Sequence, residues 1–155
     1  MHDGGGFGRR PARVGVDRRQ DEAGNAWLEI THDGYGPGLG RLYRRRLYLG
    51  SDGHDLRGED SVEPVEGARD AGELPFALRF HLHPDVQASP VQGGNAVLLK
   101  LGNQGWRFRA SGATVQVEES IYLGRPGETR RSSQIVLNGI ASADITTVKW
   151  AFRKA

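Results

Sequence analysis

From Phe76 to His83 the chain alternates without a break. Phe76, Leu78, Phe80 and Leu82 fall on one parity, and Ala77, Arg79, His81 and His83 on the other. An extended strand sends successive side chains to opposite faces, so this pattern gives one apolar and one polar face only if the segment is a strand. The same period recurs in Trp106/Phe108/Ala110 against Arg107/Arg109, and in Val148/Trp150/Phe152 against Lys149/Ala151/Arg153. Helical periodicity is nearly absent. Further strands are expected at 13–19, 26–31, 41–49, 96–101, 113–122 and 133–137. Turn-forming stretches separate them: Gly34 to Gly40, Ser51-Asp52-Gly53, Gly93-Gly94-Asn95, Gly102-Asn103 and Gly124 to Gly127. About ten short strands with turns at this spacing predict an all-β antiparallel sandwich with essentially no helix. In this register Phe76, Leu78, Phe80 and Leu82 face the core, while His81 and His83 face away.

A chain of 155 residues fits one domain and buries enough surface to need no covalent staple. Residues 11–155 are expected to form it. Residues 1–10 read as a disordered or truncated leader, and residues 64–74 as a long Gly- and acid-rich surface loop. There is no cysteine, which excludes disulfides, thiol catalysis and Cys-ligated metals. No apolar run is long enough to span a membrane. The charge is mixed, with a formal net of +2, and the basic residues are arginine except at Lys100, Lys149 and Lys154. Arginine grips carboxylate and sulfate bidentately where lysine acts as a point charge. Basic and aromatic residues interleave at Trp106-Arg107-Phe108-Arg109, but that is strand alternation, and no nucleic-acid partner is expected.

Three clusters carry candidate chemistry. His81 and His83 share one strand face, near enough to hold one metal ion with a third ligand, for which Asp60 is a candidate. The bland alternative is a polar, solvent-facing stripe. Thr31-His32-Asp33-Gly34-Tyr35 places an imidazole and a phenol, both usable proton carriers, at a strand-to-loop junction. Asp-Gly turn chemistry would explain the same residues. In Arg44-Arg45-Arg46 the alternation sets Arg45 opposite Arg44 and Arg46. The pair Arg44 and Arg46 either meets an anionic ligand or pairs with carboxylates across the sheet. Phosphate-cradling glycine loops, a Gly-x-Ser-x-Gly elbow and His-Glu-x-x-His are all missing.

Taken in order, the pieces resemble a known family. They are Trp27-Leu28-Glu29 leading into His32-Asp33-Gly34-Tyr35, then Arg44 to Leu49, Leu56 to Asp60, Arg79 to Pro84, Glu118 to Gly124 and Arg131 to Leu137. This series resembles the C-terminal β domain of bacterial heparinase II/III-like polysaccharide lyases, over about residues 10–153. The resemblance implies β-elimination on uronic-acid-containing, anionic polysaccharide. It also implies a partner region, an N-terminal α/α toroid with most of the catalytic residues, and a cell-envelope or periplasmic setting. The β domain closes the cleft and supplies a His, which the resemblance assigns to His32, with Tyr35 in support and Arg44 and Arg46 as substrate contacts. Some members hold a zinc ion with two His and one Asp, here best matched by Asp60 and His81 with His83 beside it. This sequence departs from the pattern at Tyr43, where relatives often carry a His. The alternative function is a non-catalytic module, structural or binding anionic carbohydrate.

Overall fold

A computed structural model of the protein describes residues 10–65, 72–91 and 93–155. The expectation for the leader, and the middle of the 64–74 loop, lie mostly outside these residues. Eleven strands are present: β1 (Val14–Gln20), β2 (Ala26–His32), β3 (Arg41–Leu49), β4 (Asp55–Pro64), β5 (Leu74–His81), β6 (Gln87–Pro90), β7 (Ala96–Leu101), β8 (Gln104–Ser111), β9 (Thr114–Arg125), β10 (Glu128–Ala141) and β11 (Thr146–Lys154). The one helix among the described residues is a single turn, α1 (Gly36–Leu39), between β2 and β3. No helix among them is long and apolar enough to cross a membrane.

All strand pairs are antiparallel and form two sheets. The larger has eight strands in the order β1-β2-β3-β4-β11-β8-β7-β6, and the smaller has three in the order β5-β10-β9. The sandwich is therefore as expected, with the alternation of residues 76–82 in the anticipated register. Phe76, Leu78, Phe80 and Leu82 pack against the core, while Arg79, His81 and His83 are exposed. The core is supplied by Val97, Leu99, Phe108, Val148 and Trp150 from the large sheet, met by Ile135 and Leu137 from the small one. Phe80 sits among Trp150, Phe108 and Phe152, with ring centroids 4.8, 5.4 and 5.7 Å away. The Gly102-Asn103 pair makes the two-residue β7–β8 hairpin, with Gly102 at φ 59°, a backbone that such turns require.

Two strands were not expected. One, β6, is a four-residue edge strand with little apolar content. The other, β4, is central, paired with β3 on one side and β11 on the other. Its sequence, DLRGEDSVEP, hides its period because two of its core-facing positions are Gly58 and Asp60. A Cβ at Gly58 would lie 2.1 Å from the Trp150 ring, so the glycine is the space into which the indole lies. Asp60 is 3% exposed and fully hydrogen-bonded, which is how a carboxylate is tolerated there.

Candidate functional site

The β2–β3 corner brings three rings together. His32 ends β2, Tyr35 caps α1 at its N-terminus, and Tyr43 lies opposite His32 in the β2–β3 ladder. The His32 ring is 5.3 Å from Tyr35 and 5.1 Å from Tyr43, centroid to centroid. The corner is held from several sides. Asp33 Oδ1 accepts the Ala12 and Arg13 backbone N–H groups at 2.8 and 3.0 Å, tying down the entry to β1. Those hydrogen bonds, the one from Arg13 foremost, hold the Asp33 carboxyl below its usual range. The Tyr35 carbonyl accepts Leu39 N–H at 2.9 Å, which fixes the turn carrying the phenol.

The three rings differ in exposure, with His32 half-buried on the same sheet face as Tyr43. Tyr35 is 47% exposed. Tyr43 donates its hydroxyl to Asp60, and burial, followed by that carboxylate, pushes its pKa well above the usual phenol value. It therefore stays protonated. Gly34 N–H donates to His32 Nδ1 at 3.2 Å. With Nδ1 used as an acceptor, the proton of a neutral His32 lies on Nε2, so the imidazole is presented as a donor.

Behind the rings, Asp60 Oδ1 also accepts Arg45 Nε at 2.6 Å, and Oδ2 accepts the Trp150 indole N–H at 2.6 Å. The Arg45 guanidinium lies over the rings of Tyr43 and Trp150, 6.0 and 5.7 Å from their centroids. Arg45 thus shares the His32 face of the sheet. Arg44 and Arg46, expected as substrate contacts beside His32, occupy the opposite face. There Arg44 holds Glu63 at 2.8 Å and Glu29 at 2.8 Å, and Arg46 holds Glu29 at 2.7 Å and Glu59 at 3.0 Å. The cause is strand alternation, which assigns neighbouring arginines to different faces.

The expected metal ligands are not brought together either. Asp60 faces into the sandwich from β4, in the large sheet. His81 faces away from it on β5, in the small sheet, with Nδ1 2.9 Å from Ser120 Oγ. His83 lies beyond β5 against the Tyr122 ring, 3.5 Å from Asp85. The small sheet itself separates Asp60 from both imidazoles. Among the described residues no three His, Asp or Glu groups converge as a metal site. The Asp60 oxygens are already committed to Tyr43, Arg45 and Trp150, so the donor set does not fit zinc. Sequence reasoning missed Arg45 and Trp150. The available signal was the parity of Arg45 with Tyr43 on one strand.

Three comparisons bear on this fold and corner. The sequence profile of the heparinase II/III-like C-terminal family matches residues 3–151. FtsZ-localized protein C from Caulobacter vibrioides is 38% identical over 145 residues, which is 89% of this chain and 25% of that protein. The fold superposes on heparan sulfate lyase HepC from Pedobacter heparinus with a TM-score of 0.75 at 9% identity, covering 92% of this chain and 22% of that one. A heparinase III structure gives 0.73 at 10% identity, covering 92% and 21%. The chain thus spans about a quarter of its curated relative's length.

Proposed function

This chain belongs to the heparinase II/III-like C-terminal family, and from that premise we propose that it is the β domain of a polysaccharide lyase acting by β-elimination on uronic-acid glycans. In this reading the domain closes the substrate cleft and presents the His32 corner to it. The observation that carries the reading is the fixed hydrogen bond from Gly34 N–H to His32 Nδ1, which leaves Nε2–H to face a substrate.

Elimination from a uronate has three requirements: the C5 carboxylate is neutralised, the C5 proton removed, and the departing O4 protonated. A neutral imidazole with its proton on Nε2 serves the first, donating to the enolate-like charge as that charge grows. Protonation of O4 falls to the imidazolium form or to the neighbouring Tyr35 phenol. The imidazole does not serve as the base while Nδ1 is engaged. C5 deprotonation is therefore assigned to the α/α toroid region expected N-terminal to this domain. Tyr35, exposed beside His32, supports the substrate-facing wall, and Tyr43 anchors the imidazole from behind through Asp60. A single corner supplies at most two of the three requirements and no opposite wall. Correct orientation is worth about 7–11 kcal/mol of barrier, so the 155-residue chain alone is expected to be inactive.

A second reading follows from the Caulobacter relative, whose name records localisation with FtsZ. There the domain is a non-catalytic module, structural or binding anionic carbohydrate, within a larger protein that localises with FtsZ. The deciding experiment follows the ultraviolet absorbance of unsaturated uronate in the longer protein carrying this domain. His32→Ala should lower turnover roughly 10²–10⁴-fold, the usual worth of a positioned acid or base. No unsaturated product from any uronate glycan would favour the binding module. Full activity of His32→Ala would return His32 to ordinary turn chemistry.

A further inference from the structure

On the face of the large sheet opposite the core, the antiparallel registers align one residue from each of six strands. Arg19 pairs with Trp27, Trp27 with Tyr48, Tyr48 with Arg57, Arg57 with Ala151, and Ala151 with Arg109. At the usual strand spacing this row crosses about 24 Å of sheet. From Trp27 to Arg109 it forms the floor and one wall of an open groove of about 600 Å³. The neighbouring row, Arg46, Glu59, Lys149 and Ser111, forms the other wall. Ala151 is the low point, because the side chains on either side of it are arginines.

We propose that this groove binds an acidic oligosaccharide through its carboxylate or sulfate groups, at a site distinct from the His32 corner on the other face. Charge complementarity selects the occupant. Arg46, Arg57, Arg109 and Lys149 line the groove against one carboxylate, Glu59. That carboxylate is shared, 3.0 Å from Arg46 and 3.4 Å from Lys149. Arg57 is held by Asp55 at 2.6 Å, and Arg109 makes no ion pair with any described residue. Exposed pairs of this kind are weak and exchange readily for a ligand that offers better geometry. Arginine forks match carboxylate and sulfate bidentately.

The aromatic residues argue for a glycan over a single-stranded nucleic acid. Sequence-tolerant nucleic-acid grooves offer open ring faces on which bases stack. Here the Arg19 guanidinium covers Trp27 at 5.3 Å and the Arg57 guanidinium covers Tyr48 at 5.4 Å. The two rings are tilted 55° to one another. They brace the guanidinium groups and supply an apolar wall, and they make no flat stacking platform. Arg57 and Arg109, two strands apart with Ala151 between, stand about 10 Å from each other. That arrangement suits discrete charges projecting from an extended sugar chain.

The test is titration calorimetry of the 155-residue chain with polygalacturonate oligomers, heparin oligomers, neutral dextran and oligothymidylate at fixed ionic strength. The acidic glycans should bind, dextran should not, and oligothymidylate should bind at least tenfold more weakly. Arg109→Glu, an exposed site whose change leaves the fold intact by circular dichroism, should weaken acidic-glycan binding at least tenfold. Ala151→Leu, which fills the groove floor, should do the same. Arg131→Glu makes the same charge change on the small sheet and should have little effect. The proposal is overturned if acidic glycans bind no better than dextran, if Arg131→Glu weakens binding as much as Arg109→Glu, or if oligothymidylate binds equally well. It does not depend on lyase activity, because every readout here is binding by a face that His32 does not share.

Discussion

The Trp150 indole N–H donates to Asp60 Oδ2 at 2.6 Å, joining an aromatic core residue of β11 to a buried carboxylate of β4. The other carboxylate oxygen accepts from Arg45 and Tyr43. Three donors therefore converge on one charge inside the sandwich, and the Arg45 guanidinium balances it. A buried ion pair of this kind is weak evidence for added stability, but breaking it is costly, because the remaining partner keeps its desolvation penalty.

Asp60→Ala is accordingly expected to destabilise the protein by about 3–5 kcal/mol, since it strands Arg45 and leaves the Trp150 and Tyr43 donors unsatisfied. Urea unfolding followed by Trp fluorescence reads the change. A loss below about 1 kcal/mol would mean that water satisfies these groups and that the cluster does not organise the sheet.

Gly58→Ala tests the same junction from the steric side. The added Cβ would meet three atoms of the Trp150 ring within 2.7 Å, so the indole has to leave its place over β4. Overpacking of a well-filled core costs typically about 1–3 kcal/mol, and here the Trp150–Asp60 hydrogen bond goes with it. The expected result is a lower unfolding midpoint and a shifted Trp emission maximum. An unchanged spectrum would show that the ring does not lie against Gly58.

The junction also explains what was legible in the sequence. Strands 41–49 and 96–101 were readable to the residue because glycine turns bound them, Gly40 and Gly50 about the first and Gly94 and Gly102 about the second. β4 was not readable. Two of its core-facing positions are a glycine that makes room for Trp150 and an aspartate satisfied by residues 15 and 90 positions away in sequence. Tertiary partners decide such positions, and local pattern does not contain them. The candidate site divides in the same way. His32 and Tyr35 are three residues apart, so local chemistry was enough to propose them together. Grouping Asp60 with His81 required knowing which sheet each strand joins, and they join different ones.

Phe80→Ala removes the ring that fills the space between Trp150, Phe108 and Phe152. The expected cost is about 3–5 kcal/mol, the range for a large aromatic truncated in a packed core. His81→Ala, one residue away and exposed, is expected to change stability by less than about 0.5 kcal/mol. Comparable losses for the two variants in urea would contradict the register, because a shift of one residue exchanges their faces.

The misfit of Asp60, His81 and His83 as a ligand set predicts no structural role for zinc. Prolonged chelation should leave the melting temperature unchanged, and added zinc should not raise it. A ligand that binds the native state a hundredfold above its Kd stabilises by about 2.7 kcal/mol, so a real site would be visible. Stoichiometric metal in purified protein, lost together with thermal stability on chelation, would overturn this.

The arginine–glutamate ladder on the outer face predicts how stability responds to acid. The Arg44 fork, at 2.8 and 3.2 Å, holds the Glu63 carboxyl below its ordinary value of 4.5. Arg46 first, with Arg44, does the same for Glu29. A carboxyl whose folded pKa is depressed binds its proton more readily in the unfolded chain. Its contribution is therefore complete above the ordinary value and is lost as pH falls through the folded one. The urea midpoint should be flat with respect to these groups above 4.5 and decline below it. High salt should shrink the decline, because these pairs are exposed enough to be screened. Glu63→Gln removes one titrating member, so this variant should start less stable at neutral pH and lose less on acidification. The two curves then converge at low pH. Parallel curves, with the same acid slope in both proteins, would show that Arg44 does not hold Glu63 in solution as it does in this fold.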